Sequence, residues 1–338
     1  MKNKEYFSIK FQDDKFIFLD QTKLPLEEVY VETDDYERIA LAIERLEVRG
    51  APAIGITTAY GLALSLKNAS RYARDDIFQK AYNRLASTRP TAVNLFMALN
   101  EIKTVFDLNR SSENIYQSLL NKAIEIHQDD IVKCRKIGEN GLGIFKKKST
   151  VLTHCNTGKL ATGGDGTAFN VIKMGFENQL VDFVYADETR PLLQGLRLTS
   201  FELERSGIPF AVQTDSMAGV LMQQNKVDLV IAGADRIALN GDTANKIGTF
   251  SLAVLCNYYN IPFYIAAPTT TIDRKIATGN EIEIEYRNKN EILKFNGSPV
   301  APDYYDTFSP AFDVTPSHLI TGIITEERIN FFPYNFIQ

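Results

Sequence analysis

The segment Val151-Leu-Thr-His-Cys-Asn-Thr-Gly-Lys-Leu-Ala-Thr-Gly-Gly-Asp-Gly-Thr167 sets the architecture of the chain. A short apolar run leads into a loop of small and polar residues, and an apolar-periodic segment follows at residues 168–174. This order predicts a β-strand, a glycine-rich loop and the start of a helix. In a parallel α/β sheet such a loop lies beyond the carboxyl end of its strand, where ligands bind, and the helix amino terminus favours an anion. Cys155 therefore lies two residues past the strand, at the mouth of a site.

Four more apolar strands are predicted after this segment, and helix-forming segments separate most of them. The strands are 180–186, 210–214, 229–233 and 262–267, and the helices include 192–205 and 245–259. Buried strands that alternate with helices predict a parallel, doubly wound sheet. Residues 319–324 form either a late strand or the edge of a helix, and the pattern leaves both open.

The N-terminal part of the chain follows a different pattern. Alternating apolar residues predict a β-hairpin over residues 6–19, and helical spacing predicts a helix from Tyr36 that ends near Gly50. Because Pro52 prevents a continuous helix through this point, a second helix of small, closely packed residues is expected over 56–66.

The chain is long enough for two domains. Residues 75–148 are mainly helical in pattern, with a break at 87–91, and 338 residues are more than a single core usually serves. We predict an α/β protein with a mainly helical N-terminal domain that carries a small β-hairpin, residues 1–130. A Rossmann-like domain with a doubly wound parallel sheet follows, residues 131–338.

Composition argues against several classes of protein. The net charge is −5 and the longest basic run is Lys146-Lys147-Lys148, so nucleic acid is not expected as a partner. The three cysteines are widely spaced and odd in number, which argues against a disulfide framework or structural zinc. Cys134 and Cys256 fall in helical apolar patterns and are expected to be packing residues. With no apolar signal region and no run near the ~20 apolar residues of a membrane span, we expect a cytoplasmic protein without a membrane partner.

Most of the conspicuous polar residues in the C-terminal half directly follow a predicted strand. They are Cys155 and Asn156, Asp187-Glu-Thr-Arg190, Asp215 and Ser216, Asp235 and Arg236, and Thr269-Thr-Thr271. Because parallel strands end at one edge of their sheet, these side chains should converge there. Capping of strand ends explains one or two such residues at each strand, but it does not explain the whole set.

Motifs for nucleotide cofactors are missing. The loop Gly163-Gly-Asp-Gly166 lacks the G-x-G-x-x-G pattern, and Gly158-Lys159 is followed by Leu160 where a P-loop has Ser or Thr. Nicotinamide, flavin and ATP are therefore not favoured. No spacing typical of metal ligands occurs either, so we predict that the protein needs neither a cofactor nor a metal.

Two of the strand-end residues are suited to catalysis. An arbitrary cysteine is more often a packing residue, but a glycine-rich loop and a helix amino terminus near Cys155 favour a thiolate. His154 is its neighbour on an extended segment and points the other way, so it is expected to be a core or supporting residue. Asp235 ends a buried strand, where desolvation raises the pKa of a carboxyl and suits it to act as an acid, unless Arg236 points inward. A helix cap or an ion pair is the alternative role for Asp235.

Six blocks of the sequence resemble the methylthioribose-1-phosphate isomerase family, within the superfamily that includes the regulatory α, β and δ subunits of translation initiation factor 2B. The blocks are Arg49-Gly-Ala-Pro-Ala-Ile-Gly55, Arg89-Pro-Thr-Ala-Val-Asn-Leu95, His154-Cys-Asn-Thr-Gly158, Ala186-Asp-Glu-Thr-Arg-Pro-Leu-Leu-Gln-Gly-Leu-Arg-Leu-Thr199, Gly233-Ala-Asp-Arg-Ile237 and Asn240-Gly-Asp-Thr-Ala-Asn-Lys-Ile-Gly-Thr249. The resemblance extends over residues 18–327, and its last two blocks are highly specific.

The resemblance implies an aldose–ketose isomerase of methionine salvage that acts, as a homodimer, on a sugar phosphorylated at its anomeric carbon. Cys155 and Asp235 match the two catalytic positions of the family. The substrate-binding residues implied are Arg49, Gly50, Ala51 and Arg89 for the phosphate, with Gln194, Asn245 and Lys246 completing the sugar-phosphate pocket. Arginine forks and a lysine suit a phosphate dianion, and backbone amides near Gly50 can donate without a side chain in the way.

Two alternatives to this function stay open. Thr157, Lys159 and Asp165 depart from the small or apolar residues of the family pattern. If Lys159 or Asp165 faces the pocket, 5-deoxyribose-1-phosphate and ribose-1,5-bisphosphate remain candidate substrates, whereas surface exposure of both is the simpler explanation. The other alternative is a non-catalytic regulatory subunit that binds sugar phosphates, but the retention of both Cys155 and Asp235 favours an enzyme.

Overall fold

The computed structural model describes residues 5–336 apart from Thr91 and Asn296. The chain forms two compact units. The N-terminal unit contains the chain up to Lys136 together with Thr157–Asn170, and the C-terminal unit contains Ile137–Asn156 and the chain from Val171 onward. The division into folding domains after residue 130 stays a prediction.

Three short antiparallel strands open the N-terminal unit. β1 (Ile9–Gln12) pairs with β2 (Lys15–Leu19), which also pairs with β3 (Tyr30–Thr33). The turn residues Asp13 and Asp14 both have positive φ angles, 51° and 55°, as a two-residue type I′ hairpin turn requires. The predicted hairpin is confirmed. The third strand was not predicted, because its alternating exposed and half-buried residues give it no apolar face.

The two helices that follow differ from the prediction at their ends. α1 (Tyr36–Glu44) stops well before Gly50, because the chain turns into the left-handed region at Leu46, with a φ of 60°. α2 (Ala51–Leu64) begins earlier than predicted, since Pro52 lies in the first turn, where its missing N–H is not needed. All residues of α2 beyond its first two are buried, so this helix forms the centre of the unit's apolar core.

Three further helices follow, as predicted. They are α3 (Arg74–Ala86), α4 (Val93–Leu108) and α5 (Ile115–Gly141). The predicted break at 87–91 lies between α3 and α4, and its last residue, Thr91, falls outside the described residues. Across the described part of the chain, the search for a helix with the length and apolarity of a membrane span finds none.

A mostly parallel sheet of seven strands is the framework of the C-terminal unit. The strands of this unit are β4 (Ser149–Thr153), β5 (Val181–Asp187), β6 (Phe210–Gln213), β7 (Leu229–Ala232), β8 (Arg236–Ile237), β9 (Thr243–Lys246), β10 (Phe263–Ala266), β11 (Lys294–Phe295), β12 (Ser298–Pro299), β13 (Phe312–Thr315), β14 (Gly322–Ile324) and β15 (Ile329–Phe331). The large sheet has the order β15-β14-β10-β7-β4-β5-β6, and only β15 is antiparallel to its neighbour. Successive strands are added outward in one direction from β4 and in the other from β7, so the order reverses between these two strands.

The helices after α5 alternate with these strands and confirm the doubly wound α/β fold. They are α6 (Ala168–Glu177), α7 (Ser200–Arg205), α8 (Ala218–Gln223), α9 (Thr249–Tyr259) and the single turn α10 (Asn290–Leu293). A π-helical turn, Gly195–Thr199, leads directly into α7. All five predicted strands are present, and the undecided segment 319–324 contributes β14.

The predicted helix over 245–259 is wrong in its first part. β9 is the middle strand of a separate antiparallel sheet with the order β13-β9-β8, and α9 begins only at Thr249. The strand β13, which pairs with β9, comes more than sixty residues later in the chain. Because the pairing is made with a distant segment, local periodicity could not reveal the strand.

Candidate active site

Cys155 lies two residues beyond the end of β4, as predicted, and is 7% exposed. Its backbone is in the left-handed region, with a φ of 62°, which a non-glycine residue seldom adopts. Two more non-glycine residues with positive φ, Thr189 and Leu193, follow the neighbouring strand β5. Residues in such conformations persist where their surroundings hold them, and they cluster at functional sites.

Asp235 lies three residues beyond the end of β7 and is partly buried. Its N–H donates to the carbonyl oxygen of Ala244 (2.9 Å), which ties Asp235 to β9 directly before the residues of β8 that pair with that strand. β4 and β7 are hydrogen-bonded neighbours, so Cys155 and Asp235 follow adjacent strands at the point where the strand order reverses. Open α/β sheets bind their ligands at this point.

Arg236, the residue that could have opposed an acidic role for Asp235, has a partner of its own. Its Nη1 lies 3.8 Å from Oδ2 of Asp273, which follows β10. The guanidinium of Arg236 therefore has a carboxylate partner other than Asp235.

Asn245 and Lys246 lie at the end of β9 and directly follow Ala244, whose carbonyl oxygen accepts the N–H of Asp235. Asn245 is 4% exposed and donates from Nδ2 to Oγ1 of Thr249 (2.9 Å). Lys246 donates from Nζ to the carbonyl oxygen of Ala311 (3.0 Å), and the same ammonium lies 4.1 Å from the centre of the Phe312 ring. The ring face attracts the cation, so these two contacts hold the lysine in place.

Gln194 immediately precedes the π-helical turn and is 3% exposed. Its Oε1 atom is buried, and no described residue provides it with a hydrogen-bond donor. A Cβ on the next residue, Gly195, would lie 1.6 Å from the carbonyl oxygen of Asp187, so only glycine lets this helix start on the end of β5. A buried acceptor without a donor is costly, and a ligand hydroxyl or amide would satisfy it.

His154 is 1% exposed, and both of its ring nitrogens face acceptors. Nδ1 lies 3.0 Å from Oδ2 of Asp187, and Nε2 lies 2.9 Å from the carbonyl oxygen of Ile247. Burial works against a charged ring, but the hydrogen bond and the charge of Asp187 outweigh it and raise the pKa of His154. With both nitrogens engaged, His154 is a supporting residue, as expected, and not a free base.

His154, Asp187 and Asp215 are also the one group of described residues with the spacing of metal ligands, since their ligand atoms lie within 4.8 Å of one another. Each member already has other partners. The two oxygens of Asp215 accept the N–H groups of Thr189 and Arg190, both at 2.7 Å, and Oδ1 of Asp187 accepts the amide of Gln213. We therefore assign the cluster to the hydrogen bonds that join the ends of β4, β5 and β6.

The predicted phosphate-binding residues belong to the N-terminal unit. Gly50 is the N-cap of α2, with a φ of 93°, and a Cβ there would lie only 2.4–2.6 Å from atoms of Ala161. Ala51 is the first residue of this 14-residue helix, whose leading N–H groups have no acceptor within the helix and carry its positive end. Arg49 directly precedes the cap, and Arg89 is a partly buried residue between α3 and α4.

The glycine-rich loop is clamped to α5 through the peptide groups of Gly163. Its N–H donates to Oδ2 of Asp130 (2.6 Å), and its carbonyl oxygen lies 3.2 Å from Nε2 of His127. Nδ1 of His127 lies 3.1 Å from the Tyr60 hydroxyl, which fits a neutral ring with its proton on Nε2. Burial raises the pKa of Asp130 to about 6 and lowers the pKa of His127. This clamp was not predicted from the sequence. The available signal was the i, i+3 spacing of His127 and Asp130 on α5.

Two side chains of this loop bear on the choice of substrate. Lys159 and Asp165 form an ion pair with Nζ and Oδ1 3.0 Å apart, and both side chains are about one-third exposed or more. Lys159 also lies over the ring of Tyr6, 5.5 Å from its centre. Both charged residues therefore have partners of their own and are partly exposed, which agrees with the simpler of the two explanations given for them.

The other two cysteines are packing residues, as predicted. Cys134 and Cys256 are each 1% exposed, and burial raises the pKa of both thiols, that of Cys256 to about 12.

Comparison with known proteins places this fold and these residues in context. Residues 47–329 match the model of the initiation factor 2 subunit family. A methylthioribose-1-phosphate isomerase of Caldicellulosiruptor saccharolyticus is 51% identical over 328 residues, which cover 96% of each chain.

Two solved structures have the same fold. The crystal structure of 5-methylthioribose 1-phosphate isomerase from Pyrococcus horikoshii OT3 is 38% identical, with a TM-score of 0.93, and the match covers 98% of this chain and 94% of that one. The crystal structure of the translation initiation factor eIF-2B, subunit delta, from A. fulgidus is 40% identical, with a TM-score of 0.87 and coverage of 98% and 97%.

Proposed function

The chain belongs to the initiation factor 2 subunit family, among relatives that are methylthioribose-1-phosphate isomerases, and we propose that it converts 5-methylthioribose-1-phosphate into 5-methylthioribulose-1-phosphate in methionine salvage. The observation that carries this proposal is the pair of a thiol and a carboxyl, Cys155 and Asp235, on adjacent strands where the strand order reverses. A regulatory protein that only binds ligands has no chemical need for that pair.

The substrate dictates the chemistry. An anomeric phosphate blocks the free aldehyde that ordinary aldose isomerases use, so the ring must open with the phosphate still attached. We assign Asp235 as the acid that protonates the departing ring oxygen. Its place beyond the end of β7, the strand that pairs with the strand before Cys155, supports this role.

Two routes then move hydrogen from C2 to C1. In the first route the Cys155 thiolate removes the C2 proton and gives an enol phosphate, and the resulting thiol then protonates C1 while the 2-hydroxyl loses its proton. In the second route hydride shifts directly from C2 to C1 while the 2-hydroxyl loses its proton. In the second route Cys155 stabilises or orients the charged intermediate. Turnover in deuterated water separates the routes, since substantial deuterium at C1 of the product excludes a purely direct hydride shift.

We assign the substrate phosphate to Arg49, Arg89 and the backbone of Gly50 and Ala51. The amino-terminal N–H groups of α2 support this assignment, because they donate to an anion and need no side chain to do so. Arginine guanidinium groups add paired donors that fit phosphate oxygens.

The rest of the sugar phosphate is assigned to Gln194, Asn245 and Lys246. The buried Oε1 of Gln194, which has no donor among the described residues, suits a sugar hydroxyl. The ammonium of Lys246, which lies over the Phe312 ring, suits a phosphate or a developing oxyanion.

We further propose a cytoplasmic homodimer. Phe250, Val254 and Tyr258 follow one another at four-residue spacing along α9 and are 39%, 43% and 76% exposed. Residues at this spacing lie on one side of a helix, so they form an apolar stripe that a second copy could cover. Among the described residues none of the three cysteines forms a disulfide, which suits a reducing compartment.

The second candidate is a regulatory subunit without catalysis, because the A. fulgidus structure with this fold is described as an initiation factor subunit. Purified protein should be assayed with 5-methylthioribose-1-phosphate, 5-deoxyribose-1-phosphate and ribose-1,5-bisphosphate. We expect the fastest turnover with the first. Preference for either rival sugar would correct the substrate, and binding of all three without turnover would favour the regulatory function.

A further inference from the structure

The peptide groups on both sides of Cys155 are held by threonine hydroxyls. The N–H of Cys155 donates to Oγ1 of Thr189 (2.9 Å), and its carbonyl oxygen accepts from Oγ1 of Thr199 (2.5 Å). The two threonines are themselves 0% and 2% exposed. They stand at the two ends of a segment that contains the cis Arg190–Pro191 peptide and the π-helical turn.

The hydrogen of each hydroxyl has a defined direction. Thr189 accepts from Cys155, so its own hydrogen is directed to the carbonyl oxygen of Asp187 at 3.2 Å. That carbonyl belongs to the last residue of β5. The N–H of Cys155 is thereby connected, through one hydroxyl, to the strand beside β4.

Thr199 is oriented from its other side. Nδ2 of Asn156 donates to Oγ1 of Thr199 (3.4 Å) and to Oε2 of Glu202 (2.5 Å). With a lone pair of Thr199 occupied by this donor, its hydrogen is directed to the carbonyl of Cys155. Glu202 is fully buried, so this arrangement has little freedom to rearrange.

We propose that Thr189 and Thr199 are positioning residues that together hold Cys155 in its left-handed conformation and so aim its thiol at the substrate. The φ angle sets the direction of the Cα–Cβ bond relative to the strand. A cysteine with φ of 62° is unfavourable on its own, and one hydroxyl on each of its peptide groups offsets that cost. This inference rests on the proposed role of Cys155 as the catalytic thiol.

Valine and serine replacements separate the hydroxyl from the methyl group of each threonine. Thr189→Val and Thr199→Val keep the shape and remove the hydrogen bond, whereas Thr189→Ser and Thr199→Ser keep the hydrogen bond. We expect the valine variants to lose about 10- to 100-fold in kcat, with KM changed by less than about threefold, because a small displacement of a reacting group is costly. The serine variants should stay close to the wild type.

Thr153→Val is the matched control. Thr153 is the last residue of β4, is 2% exposed and donates to the carbonyl oxygen of Ile231 (2.8 Å). The substitution therefore removes a buried hydroxyl two residues before Cys155 but leaves the hydrogen bonds to the Cys155 peptide groups in place. Its kcat should be near that of the wild type. Unchanged kcat in both valine variants, equal losses in serine and valine variants, or an equal loss in Thr153→Val would each overturn the proposal.

A second measurement does not depend on the substrate. The rate at which iodoacetamide alkylates Cys155, followed by peptide mass spectrometry, should rise about tenfold in the valine variants, the increase in local opening expected from one lost hydrogen bond. It should not rise in the serine variants or the control. An absence of any isomerase activity together with this pattern would refute the proposed function and leave the inference intact, whereas identical alkylation rates in all variants would refute the inference itself. If valine prevents folding, Thr189→Ala and Thr199→Ala serve in the same comparison.

Discussion

Replacement of Asp130 by asparagine should remove a distinct component from the pH dependence of stability. Burial raises the pKa of this carboxyl from 3.8 to about 6, and at about 1.36 kcal/mol per pH unit the shift corresponds to about 3 kcal/mol. Because the folded-state pKa is the higher one, the folded protein binds this proton more tightly than the unfolded chain. The stabilisation is fully present below about pH 4 and is lost as the pH rises through about 6.

Asp130→Asn abolishes this titration and can keep an oxygen that accepts the N–H of Gly163. We therefore expect the stability of the variant relative to the wild type to increase by about 2 kcal/mol between pH 4 and pH 7, most of the full shift. Urea unfolding at several pH values, followed by far-ultraviolet circular dichroism because the chain has no tryptophan, measures this difference.

The matched control is Asp129→Asn on the same helix. Asp129 is paired with Lys133, and its side chain is 58% exposed, so its replacement should leave the pH profile nearly parallel to that of the wild type. A wild-type-to-Asp130→Asn difference that stays constant with pH would show that the buried carboxyl does not titrate near 6 and would refute the argument.

Three further predictions concern the C-terminal unit. Cys155→Ser and Asp235→Asn should each abolish turnover of 5-methylthioribose-1-phosphate with an unchanged circular dichroism spectrum, and a rate near that of the wild type in either would reject the assigned role. Gly195→Ala should destabilise the protein by about 3 kcal/mol or more, since its Cβ would lie 1.6 Å from a backbone oxygen; a melting temperature equal to that of the wild type would contradict this. His154→Gln removes a histidine whose pKa is raised in the folded state. The wild type should therefore exceed this variant in stability by the largest amount below about pH 6.5, and the difference should shrink as the pH rises through the folded-state pKa of the histidine. Thermal melts across this pH range test the trend, and a margin that grows with pH would contradict it.

The large sheet was predictable because its strands are continuous apolar runs. A strand such as Leu229–Ala232, buried along its whole length, requires apolar side chains on both faces, and no surface segment has that pattern. The positions of Cys155 and Asp235 beyond two such strands followed from the same argument. The reversal of strand order between those strands required the pairing itself, which local sequence does not encode.

The features that the sequence did not reveal depend on contacts between distant segments or on unusual backbone angles. β9 consists of Thr243–Lys246, of which only the threonine is a residue type favoured in strands, and it forms because two other strands pair with it. The early end of α1 depends on a left-handed Leu46, a residue type that gives no sign of that conformation. Likewise, the partners of His154 become evident only after three strand ends have been brought together.

The assignment of Arg49, Arg89, Gln194 and the other binding residues came from the resemblance and not from pattern or spacing. An isolated arginine in a sequence is most often a solvated surface residue. The helix start beside Arg49 and the unsatisfied oxygen of Gln194 give those two assignments physical support.

The π-helical turn Gly195–Thr199 contains one residue more than an α-helical turn needs, and this has a genetic consequence. Loss of a single codon there, for example that of the exposed Leu196, would leave a regular helix and a largely intact core. It would also rotate Gln194 by about 100° relative to Thr199. A single deletion during evolution would in this way displace either the Thr199 hydroxyl that donates to the Cys155 carbonyl or the side-chain amide of Gln194, and the protein would still fold.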